Sequence, residues 1–263
     1  MSSSAAAIET GLNGRVSSRR DLTDRYAIFG VRPASGRIAP FEPGQFLTVG
    51  VPARNGETIE RPISIASSPA NASEYELLMR RVVDGSFSRA AWALKPGDRV
   101  QLGGRPQGSF TLVETPHDRH LIMVASGAGL APYMSMLRAY RGQQRWSRFI
   151  LIHAVERTNE LAYRKELETI AHDDETVDYL PLHGMNAEGS DWSEINEVLR
   201  ALLDDAGDTD GRTLGSPLDP DRVVSFLCGS PDMIDAVRAG IADRLEIAGV
   251  QNPETRIHFE RYW

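Results

Sequence analysis

The hydrophobic pattern of this chain changes once, near Val113, and the two patterns require different folds. Before that point, short β-type runs are separated by Gly, Pro, Asn and Asp, with one helical stretch at residues 86–98. Many short strands with turn signals predict a closed antiparallel β-barrel. After that point, apolar strands alternate with helical stretches, which predicts a doubly wound parallel α/β sheet.

The pattern also places the individual elements. Strands of the first half are expected at 14–20, 25–33, 44–52, 63–69, 75–83 and 98–104. Strands of the second half are expected at 120–126, 148–154, 176–183, 223–229 and 256–260, with helices at 131–142, 159–172, 192–205 and 230–249. Ser86 or Ser88 is expected to cap the first helix, and Ser230 and Pro231 to begin the last one.

Charge and cysteine content restrict what the chain can bind. The net charge of −7 is spread along the sequence, which argues against a nucleic-acid binder. The single cysteine, Cys228, leaves no means of forming an intrachain disulfide, a cysteine-based zinc site or an iron–sulfur cluster, and no metal site is expected.

The opening MSSSAAAIETGLNG lacks the apolar core of a signal peptide, and no apolar run could span a bilayer. A cytoplasmic protein is therefore expected.

Glycines and a cysteine mark the carboxyl ends of two strands in the second half. Gly127 and Gly129 follow the first of these strands, where they let the backbone approach a ligand, and the helix start behind them can bind an anion. Pro132 fits an early helical position, and Cys228 lies at the carboxyl edge of the fourth strand. Doubly wound sheets bind ligands at these edges.

Two stretches of the first half carry groups suited to an anionic ligand. RPISIAS combines the positive charge of Arg61 with the hydroxyl of Ser64 on an extended segment. DGSFSRAAW offers a helix start at residues 85–88, which suits a pyrophosphate. Taken singly, such features are often an ordinary strand, cap, turn or buried cysteine, but four of them in one chain strengthen one another.

Taken together, the motifs resemble the bacterial-type ferredoxin–NADP(H) reductases. RPISIAS resembles the family's Arg-x-Tyr-Ser flavin motif, and GSFS its pyrophosphate-binding Gly-x-x-Ser. SGAGLAPYMSMLR is similar to the Gly-Thr-Gly-x-x-Pro nicotinamide-nucleotide motif, and CGSPDMI to Cys-Gly-Asn-Pro-x-Met. The closing FERYW is similar to the aromatic C-terminus of one bacterial branch. The matches keep the family's order from about Gly14 to Trp263.

The resemblance implies two domains and a set of site residues. A flexible N-terminus (1–13) would precede an FAD-binding barrel (14–114) and an NAD(P)-binding α/β domain (117–263), with the flavin in the crease. The implied catalytic residues are Ser64, Cys228 and Glu260. FAD would be bound by Arg61, Pro62, Ile63, Ser64, Met79, Arg80, Gly85, Ser86, Phe87, Ser88, Tyr262 and Trp263. The nicotinamide nucleotide would be bound by Gly127, Ala128, Gly129, Pro132, Glu156, Arg157, Cys228, Gly229, Pro231 and Met233.

The implied function is an FAD-dependent oxidoreductase that exchanges a hydride with NADP(H) and single electrons with ferredoxin or flavodoxin. Such partners are usually acidic, so Arg80, Arg81 and Arg89 form a candidate face for a transient electrostatic contact. A monomer that binds neither nucleic acid nor membrane is expected. Two alternatives stay open: an NADH-dependent ferredoxin reductase that serves an oxygenase, and a non-catalytic flavin-binding redox module.

Three residues depart from the family's pattern. Ile63 stands where the family usually has Tyr, and Ala128 where it usually has Thr. Glu156 falls where NADP(H)-using members place an Arg for the 2′-phosphate. A carboxylate repels that phosphate and can accept a hydrogen bond from a ribose hydroxyl, so NADP(H) is favoured only slightly over NAD(H). Three cations are candidates to compensate: Arg157, Arg164 and His183.

Overall fold

The structure is a computed structural model that describes residues 11–53, 56–71, 73–184, 191–204 and 217–262. The chain forms two compact units, each with one β-sheet and its own hydrophobic core. The first unit comprises the residues up to Leu112 together with Ala131–Ala139. The second comprises Val113–Leu130 and the residues from Tyr140 onward. None of the described helices has the length and apolarity that crossing a membrane would require.

The sheet of the first unit has six strands, which pair antiparallel in the order β4-β3-β6-β1-β2-β5. The strands are β1 (Gly14–Asp21), β2 (Tyr26–Pro33), β3 (Phe46–Pro52), β4 (Thr58–Ser64), β5 (Tyr75–Arg80) and β6 (Arg99–Leu102). Just beyond β4, Ile65 forms a bridge with Leu77 of β5, so the two edges of the sheet meet. This closed antiparallel sheet confirms the fold class predicted for the first half.

The core of the first unit follows the two-residue period of its strands. Leu47, Val49 and Val51 alternate along β3 and are completely buried, because every second side chain of a strand points to the same face. A short helix, α1 (Ser86–Ala91), adds Phe87 to this core. Apolar alternation therefore decides which face of the sheet is inside.

Four predictions for the first half are wrong in detail. The strand expected at 75–83 ends at Arg80, and the helical stretch expected at 86–98 ends as a helix at Ala91. The strand expected at 63–69 runs over Thr58–Ser64 instead, and it contains Pro62. Proline is tolerated there because β4 is an edge strand of the sheet. The N-cap of α1 is Gly85, with no side-chain cap, and the Ser88 hydroxyl accepts the N–H of Val82 at 2.9 Å instead.

The sheet of the second unit has five parallel strands in the order β11-β10-β7-β8-β9. They are β7 (His120–Ser126), β8 (Arg148–Val155), β9 (Val177–His183), β10 (Val223–Gly229) and β11 (Ile257–Arg261). The sheet grows from β7 to β9 and then reverses to β10, which places the switch point between β7 and β10. The predicted doubly wound parallel sheet is confirmed, and each strand lies within one residue of its predicted bounds.

Four longer helices follow these strands: α2 (Ala131–Tyr140), α3 (Arg164–Asp173), α4 (Ser193–Leu203) and α5 (Pro231–Ile247). The helix predicted from residue 159 starts later, at Arg164. Thr158–Glu160 form a 3-10 turn, and Tyr163 has a left-handed φ of 57°, which separates that turn from α3. Ser230 caps α5 and Pro231 is its first residue, as predicted.

The helix α2 belongs largely to the first unit, although it follows β7 in sequence. The Ser135 hydroxyl donates to the carbonyl oxygen of Ser67 at 2.7 Å. The Arg138 guanidinium donates to the carbonyl oxygen of Ala66 at 2.9 Å and to the Glu76 carboxylate at 2.7 Å. These bonds tie α2 to the segment that leads into β5.

Candidate active site

The first predicted site residues lie at the C-terminal end of β4. Arg61 is exposed, and its guanidinium donates to the carbonyl oxygen of Glu60 at 2.7 Å. Ile63 is partly buried against the barrel core, and Ser64 is only 4% exposed. The same strand therefore carries an exposed cation, an apolar side chain and a nearly buried hydroxyl, which suits a ligand with both charged and uncharged parts.

A second group lies between the end of β5 and the start of α1. Met79 is buried and Arg80 is the last residue of β5. A Cβ atom on Gly85 would lie 3.2 Å from the Cβ and the carbonyl oxygen of Val82, which is closer than ordinary contact. Glycine at the N-cap of α1 lets the chain turn tightly there, and the N–H groups at the start of a helix attract an anion such as the diphosphate of FAD. The residues present therefore fit the cofactor that the resemblance implies.

In the second unit, two glycines let the ends of β7 and β10 approach each other. Gly127–Leu130 form a 3-10 turn after β7. A Cβ atom on Gly129 would lie 2.1 Å from the carbonyl oxygen of Cys228, and one on Gly229 would lie 2.0 Å from the Ser126 hydroxyl oxygen. No side chain fits at either position unless the strand ends separate. The predicted nucleotide residues 127–129, Cys228 and Gly229 are thus brought together at the switch point.

Ser126 and Ser230 join the same two strand ends by hydrogen bonds. The Ser126 hydroxyl accepts the backbone N–H of Ser230 at 2.8 Å. The Ser230 hydroxyl caps α5 by accepting the N–H of Met233 at 3.4 Å. Met233 is completely buried, so it can support a nucleotide site by packing beneath it. Pro132 lies at the start of α2.

Cys228 and Glu260 are neighbours across parallel strands. The register of β10 and β11 pairs the two residues directly. Burial raises the pKa of the Cys228 thiol well above its usual value, the charge of Glu260 raises it further, and a hydrogen bond with Tyr262 partly offsets this rise. The thiol is therefore neutral near pH 7. Trp263 lies outside the described residues.

Glu260 is a carboxyl group without full hydrogen bonding. Its Oε2 is buried and accepts no hydrogen bond from the part of the chain that the structure describes. Burial raises the pKa of Glu260 to about 7, because the charged form loses hydration. The group can therefore hold or release a proton near neutral pH, which suits a residue beside a reacting ring.

This pKa predicts how stability changes with pH. The folded protein binds the proton of Glu260 more tightly than the unfolded chain, so the free energy of unfolding falls as pH rises from about 4.5 to about 7. At pH 8, Glu260→Gln should raise that free energy by about 1–3 kcal/mol, and the gain should shrink at pH 5. Denaturant unfolding at both pH values measures this. A gain of equal size at both, or the same gain for the exposed control Glu246→Gln, would contradict it.

The carboxyl end of β8 carries the residues that would distinguish the two nucleotides. The Glu156 carboxylate lies 3.6 Å from the Arg157 guanidinium. Glu160 is 1% exposed, and its carboxylate accepts the backbone N–H of Arg157 at 3.1 Å. Arg164 is paired with Glu168 at 2.6 Å. Two of the three compensating cations are therefore already engaged by carboxylates.

His153 and Ser126 were not singled out from the sequence, although both are buried beside the glycine turn. His153 Nε2 lies 3.2 Å from the carbonyl oxygen of Gly127. The available signal was a polar residue near the carboxyl end of a largely apolar strand, in RFILIHA and in HLIMVAS. Such residues also occur in ordinary strands, so only the packed structure reveals their partners.

Two family models match the chain in succession. Residues 14–112 match the oxidoreductase FAD-binding domain, and residues 123–239 match the oxidoreductase NAD-binding domain. Together they cover both sheets described above except for β11 and the first three residues of β7. The order of the two models agrees with the closed antiparallel sheet followed by the doubly wound sheet.

Two relatives and one solved structure are similar to this chain over most of its length. The flavodoxin/ferredoxin–NADP reductase of Escherichia coli is 29% identical over 223 residues, which cover 85% of this chain and 86% of that protein. The ferredoxin–NADP reductase of Azotobacter vinelandii is 28% identical over 205 residues, or 74% and 76% of the two chains. A crystal structure of a ferredoxin NADP+ reductase from Neisseria gonorrhoeae, with bound FAD and NADP, has a TM-score of 0.74 at 23% identity and covers 95% of this chain and 98% of that one. With both domain models matched in order, the chain belongs to the bacterial-type ferredoxin–NADP(H) reductases of the ferredoxin reductase superfamily.

Proposed function

We propose that this protein is an FAD-dependent reductase that exchanges a hydride with NADP(H) and single electrons with a ferredoxin or flavodoxin. The observation that carries the proposal is the switch point, where Gly129 and Gly229 bring two strand ends together beside the Cys228–Glu260 pair. The names of the Escherichia coli and Azotobacter vinelandii relatives support the same reaction.

The first unit would hold the cofactor. When bound, FAD supplies the ability to take two electrons from a nicotinamide and to release them singly. In this proposal Arg61 and the Gly85 turn bind the diphosphate, and Ser64 donates a hydrogen bond to the flavin edge. Ile63 provides an apolar wall where a tyrosine would add a hydroxyl and ring contact. The remaining proposed contacts are Pro62, Met79, Arg80, Ser86, Phe87, Ser88, Tyr262 and Trp263.

The second unit would orient the nucleotide. Hydride transfer requires the reacting rings to be held in van der Waals contact, so the protein contributes mainly position and exclusion of water. In this proposal the turn at residues 127–129 presents its backbone to the nucleotide, and the neutral thiol of Cys228 provides a compact surface. Glu260 can hold a proton at this edge of the sheet near pH 7.

The proposal also covers the redox partner, the oligomeric state and the cellular location of the enzyme. Arg80, Arg81 and Arg89 would attract an acidic redox protein in a brief electrostatic contact, with the enzyme acting as a monomer. The exchange with NADP(H) is proposed to take place in the cytoplasm, in keeping with the bacterial relatives. The functional domains are proposed as residues 14–114 and 117–263.

Anaerobic mixing tests this function directly. We expect the purified yellow protein to be bleached by NADPH, and to reduce cytochrome c only when a ferredoxin or flavodoxin is added. Partner-dependent turnover should fall as salt is raised, because charge attraction is screened. A yellow protein that neither nucleotide bleaches would instead support the non-catalytic redox module.

Glu156 supports a second candidate, the NADH-dependent ferredoxin reductase. Its carboxylate occupies the end of the second strand of the doubly wound sheet, where an acidic group binds a ribose hydroxyl. The guanidinium of Arg157 lies 3.6 Å from that carboxylate. A 2′-phosphate would have to compete with Glu156 for Arg157.

Nucleotide preference should respond to this one charge. We expect Glu156→Gln to raise kcat/KM for NADPH relative to NADH by about tenfold, which corresponds to about 1.4 kcal/mol of removed repulsion. Steady-state kinetics with both nucleotides measure the ratio, and Glu175→Gln serves as the control, because Glu175 is exposed just before the amino end of β9. A much larger kcat/KM for NADH in the unmodified protein would favour the second candidate.

A further inference from the structure

His153 is a buried polar residue that directs its one hydrogen bond at the nucleotide turn. On β8 it pairs in register with Ala125 of β7 and Pro181 of β9. Its side chain is completely buried, and Nε2 lies 3.2 Å from the carbonyl oxygen of Gly127. Burying an imidazole is unfavourable unless it is hydrogen-bonded, so this contact is the main compensation that the structure shows.

The contact determines which tautomer the ring adopts. Burial lowers the pKa of His153 to about 4, so the ring is neutral at pH 7 and carries one N–H. A carbonyl oxygen can only accept, so the proton must lie on Nε2. Nδ1 then keeps a lone pair, and it is buried without a hydrogen-bond partner among the described residues. The side chain thus makes a single directed bond, from Nε2–H to Gly127.

The same bond orients the next amide group of the turn. Gly127 has a left-handed φ of 53°, and the described backbone contains no cis peptide bond. In a trans peptide, the carbonyl group and the following N–H point in opposite directions. Since the Gly127 carbonyl points to His153, the N–H of Ala128 points away from β8. It does so at the switch point, where doubly wound sheets bind ligands.

We propose that His153 is a positioning residue for the nicotinamide nucleotide: its Nε2–H holds the Gly127 carbonyl and so turns the Ala128 N–H toward the bound nucleotide. The inference rests on the proposed function, because it requires this turn to bind a nucleotide. His153 touches no reacting atom and acts only through the peptide group between Gly127 and Ala128.

Two substitutions separate the hydrogen bond from the bulk of the ring. His153→Leu removes the donor, whereas His153→Gln places an amide N–H close to the position of Nε2. In the FAD-bound protein, the change in visible absorbance on adding NADP+ measures the dissociation constant. We expect His153→Leu to weaken NADP+ binding about tenfold, the effect of one hydrogen bond, and His153→Gln to stay within about threefold of the original protein. KM for NADPH should change more than kcat.

Ile152→Val is the matched control, because Ile152 is a buried neighbour on β8 whose side chain points to the opposite face of the sheet from that of His153. It should lower the melting temperature without changing NADP+ binding. Equal losses for His153→Leu and Ile152→Val, or no rescue by His153→Gln, would overturn the inference.

Nitrogen NMR of the ring gives a test that needs no nucleotide. At pH 7 we expect a protonated Nε2 and a bare Nδ1 on His153. The opposite tautomer would overturn the inference while leaving the proposed function intact. If the unmodified protein binds neither NADP+ nor NAD+, both the inference about His153 and the proposed function are overturned.

Discussion

Flavin reduction by NADPH is expected to slow about 100-fold when Ser64 is replaced by Ala, while FAD stays bound. The Ser64 hydroxyl is 4% exposed at the end of β4, so it is held in place rather than moving in solvent. A preorganised donor of this kind is worth most when charge develops next to it, which is why the loss should appear in the rate and not in cofactor retention.

Stopped-flow absorbance under anaerobic conditions measures this rate, and the visible spectrum after desalting measures the FAD content. Thr58→Ser, at the opposite end of β4, is the control and should leave the rate unchanged. Loss of FAD from Ser64→Ala would make the residue a binding group only. An unchanged rate would remove Ser64 from the site.

Gly129→Ala is expected to lower the free energy of unfolding by about 3 kcal/mol and to weaken nucleotide binding more than tenfold. The added Cβ would lie 2.1 Å from the carbonyl oxygen of Cys228 and 2.9 Å from the backbone nitrogen of Gly229. Both are backbone atoms of β10, which cannot rotate aside as a side chain can. The ends of β7 and β10 would therefore have to separate.

The control for this substitution is Gly104→Ala, because a Cβ there meets nothing within 4 Å. It should change the free energy of unfolding by less than about 0.5 kcal/mol. Denaturant unfolding and NADP+ titration of both variants give the comparison. If Gly129→Ala is as stable as Gly104→Ala and binds NADP+ equally well, the close approach of Gly129 to the Cys228 backbone is not needed for stability or for nucleotide binding.

Three strands of the second unit, β7, β8 and β10, could be predicted from sequence because each is largely an apolar run bounded by polar or turn residues. The run HLIMVAS, for example, coincides with β7. The other two, β9 and β11, mix polar and apolar residues and were located by the spacing of the helices around them. By contrast, β4 was placed too late in the sequence, because Pro62 within a run argues against a strand unless that strand lies at an edge. The start of α3 was misplaced because the left-handed conformation of Tyr163 has no sequence signature.

The site was only partly predictable for a related reason. The motifs located Gly129 and Cys228 separately, but their contact depends on the order of β7 and β10 in the sheet, which no local pattern encodes. The pairing of Cys228 with Glu260 likewise depends on strand register. His153 was missed because its importance comes from burial and from one long-range hydrogen bond.

The position of α2 has a consequence for the engineering and ancestry of this chain. Ala131–Ala139 are encoded after the first strand of the second unit, yet Ser135 and Arg138 complete the hydrogen bonding of Ser67 and Glu76 in the first. The barrel is therefore not a contiguous module of the gene. A chimaera that exchanges only residues up to Leu112 would pair one parent's barrel with the other parent's helix, so these two segments have to be inherited together.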